Sequence, residues 1–199
     1  MISVYNIKPK FQQLLKPLLV FMHKMGISAN AITWMSVILS VATGVLIWLH
    51  PYGAAFILLP ASLFVRMALN ALDGMMARTY NMQSKAGEVL NEIGDVVSDV
   101  LMFFPLLKLF QLNLYVLLLF IFISVINEYA GILGKAVSGV RRYEGPMGKS
   151  DRAFVVGLLS VICLFVPQAT GYFNYVFILI ILLAIFSTAT RIHKTLNQE

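Results

Sequence analysis

Apolar runs long enough to cross a lipid bilayer dominate this chain and limit the folds open to it. A spanning helix needs about 20 predominantly apolar residues. Only 12% of the 199 residues are charged, whereas about a quarter are charged in a typical soluble domain. Because backbone polar groups in lipid must be satisfied within the segment, these runs predict helices. They lie near Ala31–Leu49, Ala54–Ala77, Ala86–Phe110, Leu114–Leu133, Arg152–Val166 and Phe173–Thr190.

The sequence therefore predicts an all-α integral membrane protein with six transmembrane helices in one domain, residues 31–190. Residues 1–30 carry apolar side chains such as Leu14, Leu15 and Leu18 at helical spacing, with lysines on other faces. This pattern is typical of an amphipathic helix that lies in the membrane interface. A short additional span is the alternative. Residues 191–199 are expected to form a cytoplasmic tail.

The basic residues give the predicted orientation. Thirteen of the 15 Lys and Arg lie in the N-terminal segment, the link between the second and third spans, the link between the fourth and fifth spans, and the C-terminal tail. By the positive-inside rule, both termini face the cytoplasm. The net charge of +6 indicates contact with an anionic membrane surface rather than with nucleic acid. The lone Cys163 excludes an intrachain disulfide.

A polar segment, residues 70–95, interrupts the second and third spans. Asn70, Asp73 and Ala77 are three and four residues apart and share one helix face, while Asn91 and Asp95 share a face of the next helix. A short turn makes the two helices antiparallel neighbours, so we expect their polar faces to converge. Carboxylate and amide oxygens are ligands for Mg²⁺, Mn²⁺ or Ca²⁺. Ionisable groups at membrane depth mark a functional site by default.

Two glycines and one arginine extend this pattern. Gly74 and Gly87 leave room for a ligand to approach the backbone. Arg78 lies one turn past Gly74, where it is placed for bidentate contact with a phosphate. Together with the acidic residues, this pattern indicates metal-assisted chemistry on a phosphorylated substrate. These residue types alone do not identify the substrate.

The spacing resembles the signature of the CDP-alcohol phosphotransferases, integral membrane enzymes that make phospholipids. That signature is D-x2-D-G-x2-A-R-x8-G-x3-D-x3-D. The segment SANAIT, residues 28–33, is similar to the family's P-N-x-[IT]-T before its first span, and the chain looks closest to a small bacterial branch of unassigned members. The residues at the signature positions are Asn70, Asp73, Gly74, Ala77, Arg78, Gly87, Asn91 and Asp95.

The resemblance implies transfer of a phosphatidyl-type group from a CDP-linked lipid, typically CDP-diacylglycerol, to a small polar alcohol with release of CMP. It implies one or two Mg²⁺ or Mn²⁺ ions at the motif, with Asp95 as a ligand and as the base for the acceptor hydroxyl. A homodimer in the bacterial inner membrane, with its site facing the cytoplasm, is also implied. The other implied metal ligands are Asn70, Asp73 and Asn91, and the implied CDP-binding residues are Asp73, Gly74, Ala77, Arg78 and Gly87.

Two positions depart from the signature. Asn70 and Asn91 stand where the family has metal-binding aspartates, and an amide oxygen can coordinate a cation but brings no charge. Glu92, next to Asn91, is a further candidate ligand that would restore a carboxylate. The alternatives are a weaker site, a site with one firmly held metal, or a catalytically silent relative that binds lipid or nucleotide. A cation-coupled transporter is a further alternative, but the internal repeats typical of transporters are not evident.

The link between the fourth and fifth spans is the second candidate region. Arg141, Lys149 and Arg152 are candidates for binding the phosphate of a phosphorylated acceptor, because relatives that use such acceptors have basic residues there. Simple anchoring by the positive-inside rule is the alternative. Glu128 is expected to hydrogen-bond within the bundle or to pair with Arg66.

Overall fold

The computed structural model describes residues 8–197, and all regular secondary structure within that range is helical. A 3₁₀ helix, Pro167–Tyr172, precedes the last α-helix. The α-helices are α1 (Lys8–Lys24), α2 (Ala29–Leu49), α3 (Ala55–Thr79), α4 (Lys85–Phe103), α5 (Leu106–Leu109), α6 (Leu114–Ser138), α7 (Lys149–Phe165) and α8 (Phe173–Leu196).

Within residues 8–197, four helical stretches are long and apolar enough to cross a membrane. They are α2, α3, α6 and the continuous stretch Pro167–Leu196 that contains α8. The other two predicted spans meet that description less well, because α7 has only 17 residues and α4 carries four carboxylates. The all-helical fold and its membrane-type helices are confirmed. The count of six spans stays a prediction.

Helix α1 packs against α3 through Leu15, Leu19 and Met22, which are buried, and it continues through Pro17. Its opposite face leaves Leu14, with 75% of its surface exposed, free of the bundle. The part of the predicted interfacial helix that precedes Lys8 lies outside the described residues. At the other end, α8 continues to Leu196, so most of the predicted tail is helical.

The third predicted span extends to Phe110, but α4 ends at Phe103, and this boundary is a correction. Pro105 has no backbone N–H to donate and cannot continue the helix. The chain then turns into α5, whose Leu106 and Leu109 are buried in the main apolar core. The apolar composition of residues 106–110 therefore reflects packing inside the bundle rather than a longer span.

Two apolar clusters flank a polar layer in the bundle. One contains Leu59 and Leu63 of α3, and the other contains Leu72 and Met76 of the same helix. The residues of α3 between them include Arg66, which is 3% exposed. Charged groups therefore lie between two apolar cores, where they need partners to offset the loss of hydration.

A chain of buried ion pairs supplies those partners and joins four helices. Arg66 Nη1 of α3 lies 2.5 Å from Asp99 Oδ1 of α4, and Arg152 Nη2 of α7 lies 3.1 Å from Asp99 Oδ2. The same Arg152 nitrogen lies 3.1 Å from Glu128 Oε1 of α6. Glu128 thus pairs with Arg152, and with Arg141 at 3.3 Å, rather than with Arg66. Of the two expectations for Glu128, hydrogen bonding within the bundle is confirmed. The pairing with Arg66 is wrong, because Arg66 pairs with Asp99 instead.

We predict that Arg152→Met destabilises the fold by about 3–5 kcal/mol, because it leaves Asp99 and Glu128 short of a buried partner. Thermal unfolding in detergent, followed by size-exclusion chromatography, measures the change. The matched control is Lys194→Met, which removes a cation that is 38% exposed and 3.7 Å from Glu144. We expect less than about 1 kcal/mol there. Equal melting temperatures for the two variants would contradict the prediction.

Candidate active site

A pocket of about 640 Å³ opens at one end of the bundle. It lies where α2 and α4 begin and where α3 and α6 end. Eight of the twelve residues predicted for the site line this pocket, and they come from both halves of the signature and from the following loop. They are Asp73, Gly74, Ala77, Arg78, Gly87, Asn91, Glu92 and Arg141.

The turn between α3 and α4 brings the two halves of the signature together. Asn81 has a φ of 54°, a left-handed conformation that lets the chain reverse. Ser84 caps α4, and its Oγ accepts a hydrogen bond from the Gly87 backbone N–H at 3.0 Å. A Cβ at Gly87 would lie 2.6 Å from Asn30 Oδ1, so this glycine lets α2 and α4 approach closely.

Asp73 is the buried carboxylate that faces the pocket. It is 3% exposed, and its Oδ2 accepts a hydrogen bond from Thr33 Oγ1 at 3.0 Å. Its Oδ1 accepts one from the Gly74 N–H at 2.5 Å. No Lys, Arg or His of the described chain lies within ion-pair distance of it. Asp73 is therefore held by uncharged donors.

Asp95 lies behind the pocket wall and is held differently. Its Oδ1 accepts a hydrogen bond from Asn70 Nδ2 at 2.8 Å, and its Oδ2 pairs with Lys149. Asn70 Oδ1 in turn accepts one from Ser36 Oγ at 2.8 Å. Arg66 Nη2 lies 3.7 Å from Asp95 Oδ1. Asn70, Asp95 and Lys149 are thus brought together, although they do not line the pocket itself.

Salt bridges between α4 and the end of α6 form one wall of the pocket. Arg141 pairs with Glu92, and Lys135 pairs with Glu88. Burial lowers the pKa of the Arg141 guanidinium, but the interactions with Tyr143 and then with Glu92 outweigh burial and hold that pKa above its ordinary value. Arg141 is therefore a permanent positive charge on this wall.

The loop between α6 and α7 is fixed against α8, which determines where its basic residues lie. The Glu144 carbonyl oxygen accepts hydrogen bonds from Ser187 Oγ at 2.9 Å and from Arg191 Nε at 3.1 Å. Gly145 follows with a φ of 93°, and a Cβ there would lie 2.5 Å from Ser187 Oγ. This close approach requires glycine. The loop ends at Lys149, the first residue of α7.

The arginines predicted for the site differ in their availability to a ligand. Arg78 lines the pocket, and its guanidinium makes no hydrogen bond or ion pair with another residue in the range 8–197. Its Nη1 lies 3.3 Å from where a Cβ at Gly74 would be, so this glycine gives the guanidinium room. Arg152 is fully buried and committed to Asp99 and Glu128. The expectation that Arg152 contacts an acceptor phosphate stays a prediction.

A hard divalent cation is bound mainly by oxygen ligands. No group of three His, Cys, Asp or Glu side chains within residues 8–197 could hold a metal ion on its own. Asp73 and Asn91 both line the pocket, and they offer a carboxylate and an amide oxygen. Glu92 lies on the same wall but pairs with Arg141. Asp73 and Asn91 thus offer ligand oxygens to the pocket, whereas the side chains of Asn70 and Asp95 contact other protein groups.

Three polar residues of α2 at the site were not among those predicted. Thr33 and Asn30 come from the start of α2, and Ser36 lies one turn further along it. Thr33 belongs to the segment SANAIT, so a signal for the first two was present in the sequence. Ser36 shares a helix face with Thr33, but a serine in an apolar helix is too common to stand out.

The sequence profile of the family described as CDP-alcohol phosphatidyltransferase matches residues 26–191. An inner membrane protein of Escherichia coli K12, YnbA, is 40% identical over 194 residues, covering 98% of this chain and 96% of YnbA. An uncharacterized protein of Aquifex aeolicus is 31% identical over 98 residues, covering 49% of this chain and 48% of that protein.

The fold is similar to that of phosphatidylinositol phosphate synthase (PgsA1) from Mycobacterium tuberculosis. The crystal structure with CDP-DAG bound superposes with a TM-score of 0.75 at 19% identity, covering 92% of this chain and 94% of PgsA1. The complex with manganese and citrate gives a TM-score of 0.74 at 20% identity, over 90% and 87% of the two chains. The profile match spans most of the chain and agrees with the signature at residues 70–95, so the chain belongs to the CDP-alcohol phosphatidyltransferase family.

Proposed function

We propose that this protein is a membrane phosphotransferase of phospholipid biosynthesis. It moves a phosphatidyl-type group from a CDP-activated lipid, CDP-diacylglycerol, to a polar alcohol and releases CMP. The single observation that carries this proposal is the convergence of both signature halves on one pocket. Membership of the family and the CDP-DAG bound to PgsA1 support the choice of donor.

The donor's nucleotide and phosphates occupy the pocket. Arg78 has no protein partner in the described chain and contacts the pyrophosphate with its guanidinium. The nucleotide reaches the helix backbone because the residues there have small side chains or none. These residues are Gly74, Ala77 and Gly87. Asp73 completes this subsite. The acyl chains leave the pocket sideways into the bilayer, which keeps apolar surface out of water.

Asp95 acts as the base in the transfer step. The acceptor hydroxyl gives its proton to the Asp95 carboxylate while its oxygen attacks the phosphorus that bears the diacylglycerol. The bond between that phosphorus and the bridging oxygen breaks, and CMP leaves with the electron pair. A bound Mg²⁺ or Mn²⁺ would supply charge neutralisation for the donor phosphates. Asp73 and Asn91 would hold it, and Glu92 is a further candidate; the manganese complex of PgsA1 supports a divalent cation.

The acceptor side is formed by Lys149 and Arg141. An ammonium has three N–H donors, so Lys149 can contact Asp95 and an acceptor phosphate together. Arg141 brings a second positive charge to the pocket wall. Arg152 contributes from beneath, where its buried pairs fix the first turn of α7. We therefore propose a phosphorylated polar alcohol as the acceptor.

The membrane arrangement proposed here has six spans, formed by α2, α3, α4, α6, α7 and α8, with α1 lying in the interface. The domain covers residues 31–190. Both termini and the pocket face the cytoplasm, since the basic residues concentrate on that side. The name of the E. coli relative supports the inner membrane as the location. By analogy with the family, the protein is a homodimer.

A second function has one observation in its favour. Asn70 and Asn91 remove two negative charges from the signature, which favours a relative that binds CDP-lipid or nucleotide without turning it over. A cation-coupled transporter is the weaker alternative, because nothing in the sequence indicates an internal repeat. Release of CMP separates the enzyme from both.

We predict that the purified protein in detergent, with Mg²⁺ or Mn²⁺, releases CMP from CDP-diacylglycerol when an acceptor is added. The panel contains glycerol 3-phosphate, inositol phosphate, serine and plain polyols. We expect Asp95→Ala to lower the rate by about 10²–10⁴-fold, the usual contribution of a general base. The control is Glu144→Gln, which changes a partly exposed carboxylate outside the pocket and should retain the rate. Metal-dependent CDP-lipid binding without any CMP would favour the non-catalytic relative.

We predict that Arg78→Lys raises the KM for CDP-diacylglycerol about tenfold, because a lysine cannot make the bidentate contact of a guanidinium. Titration of the donor at saturating acceptor measures this. Lys108→Arg, at the opposite end of the bundle near Trp48, is the control for a basic exchange. An unchanged KM with an unchanged melting temperature would remove Arg78 from the phosphate site.

The proposed orientation predicts opposite labelling of two positions in a Cys163→Ser background. Lys108→Cys should react with a membrane-impermeant maleimide added to intact spheroplasts, whereas Lys24→Cys should react only in inverted vesicles. Cys163→Ser alone provides the unlabelled control. Labelling of both positions from the same side would contradict the proposed topology.

A further inference from the structure

The ion-paired charges behind the pocket balance one another. The ion pairs join basic and acidic side chains into one continuous network, from Arg66 at depth to Glu92 on the pocket wall. Each member has at least one partner of opposite sign, and the network as a whole is neutral. Its basic members are Arg66, Arg141, Lys149 and Arg152, and its acidic members are Glu92, Asp95, Asp99 and Glu128.

Asp73 stands outside this network. It is the buried, pocket-lining carboxylate whose partners in the described chain, Thr33 and the Gly74 N–H, carry no charge. Asn91 lines the same pocket, and its side chain makes no hydrogen bond to another residue in the range 8–197. A buried carboxylate without a cationic partner is costly unless a cation joins it. Asp73 is therefore the carboxylate that a bound cation would stabilise most.

Asp95 is already stabilised by protein groups. Lys149 supplies the positive charge, and Arg66 lies 3.7 Å from the same carboxylate. Asn70 donates its amide N–H to Asp95 Oδ1, a bond that an ionised aspartate at position 70 could not donate. Ser36 fixes the other end of that amide. The amide thus orients Asp95, and the two asparagines of the signature have different surroundings.

We infer that the site takes one divalent cation, bound through Asp73 and Asn91, and that Lys149 and Asn70 hold Asp95 in place of a second ion. This inference rests on the proposed function and deepens it. Asn70 is then a positioning residue for Asp95, whereas Asn91 is a ligand. The two substitutions from the family signature are not equivalent: reverting Asn91 adds charge to the cation site, whereas reverting Asn70 sets two carboxylates against each other.

The test counts bound Mn²⁺ on the full-length protein in detergent, with CDP-diacylglycerol present, by electron paramagnetic resonance of the free ion and by calorimetry. We expect one Mn²⁺ per chain in the unaltered protein and none in Asp73→Asn. Asn91→Asp should keep one ion and lower its Kd by about tenfold or more. Two ions per chain, or no ion at all, would overturn the inference.

A second arm tests the role of Lys149 and Asn70. The Asn70→Asp, Lys149→Met double variant lacks both the Lys149 ammonium and the Asn70 amide that orients Asp95. We expect it to bind a second Mn²⁺. Lys194→Met, which removes a lysine paired with Glu144 outside the pocket, is the matched control and should still bind one ion. A folded double variant that binds only one ion would refute the inference that Lys149 takes the place of a second metal ion. If the double variant does not fold, the count for the unaltered protein decides.

The failure of this inference can be told apart from failure of the proposed function. CMP release with two bound ions would leave the transferase intact and remove the one-ion site. One bound ion without CMP release would support the one-ion site and favour the non-catalytic relative.

Discussion

The structure depends on one constraint: charges placed between apolar cores must find opposite charges there. Arg152 is central to this pairing, since it is fully buried and contacts both Asp99 and Glu128. An unpaired charge at that depth would cost several kcal/mol. Because Arg152 of α7 pairs with residues of α4 and α6, these ion pairs also fix how the three helices sit around the pocket. The proposed chemistry thus depends on a framework that is held together by charge.

The pocket depends on close approach as much as on charge. Gly87 lets α4 approach Asn30 of α2, and Gly145 lets the basic loop lie on Ser187 of α8. The first contact shapes the donor side of the site and the second shapes the acceptor side. Neither glycine touches the proposed reacting atoms. Each nevertheless sets how closely two elements around the pocket approach each other.

The all-helical fold and the convergence of the two signature halves could be predicted from the sequence, because both depend on local spacing. Residues 70–95 lie on two consecutive helices joined by a short turn, so helical periodicity alone brings them together. The ion-pair partners could not be predicted in this way. The partner of Glu128 was left open between a hydrogen bond within the bundle and a pair with Arg66, because periodicity along one helix says nothing about which distant helix faces it. The end of α4 at Phe103 was missed because residues 106–110 are as apolar as a span.

The ion pair between Arg66 and Asp99 has a consequence for how the chain enters the bilayer. Arg66 belongs to α3 and Asp99 to α4, so the helical hairpin carries a matching counter-ion for one of its most deeply placed acids. In the proposed six-span arrangement, this hairpin enters the bilayer with both members of the pair present before α6 and α7 have been synthesised. Arg152 then arrives as the second partner of Asp99 and the first of Glu128. The order in which the helices are synthesised therefore matches the order in which these buried ion pairs can form.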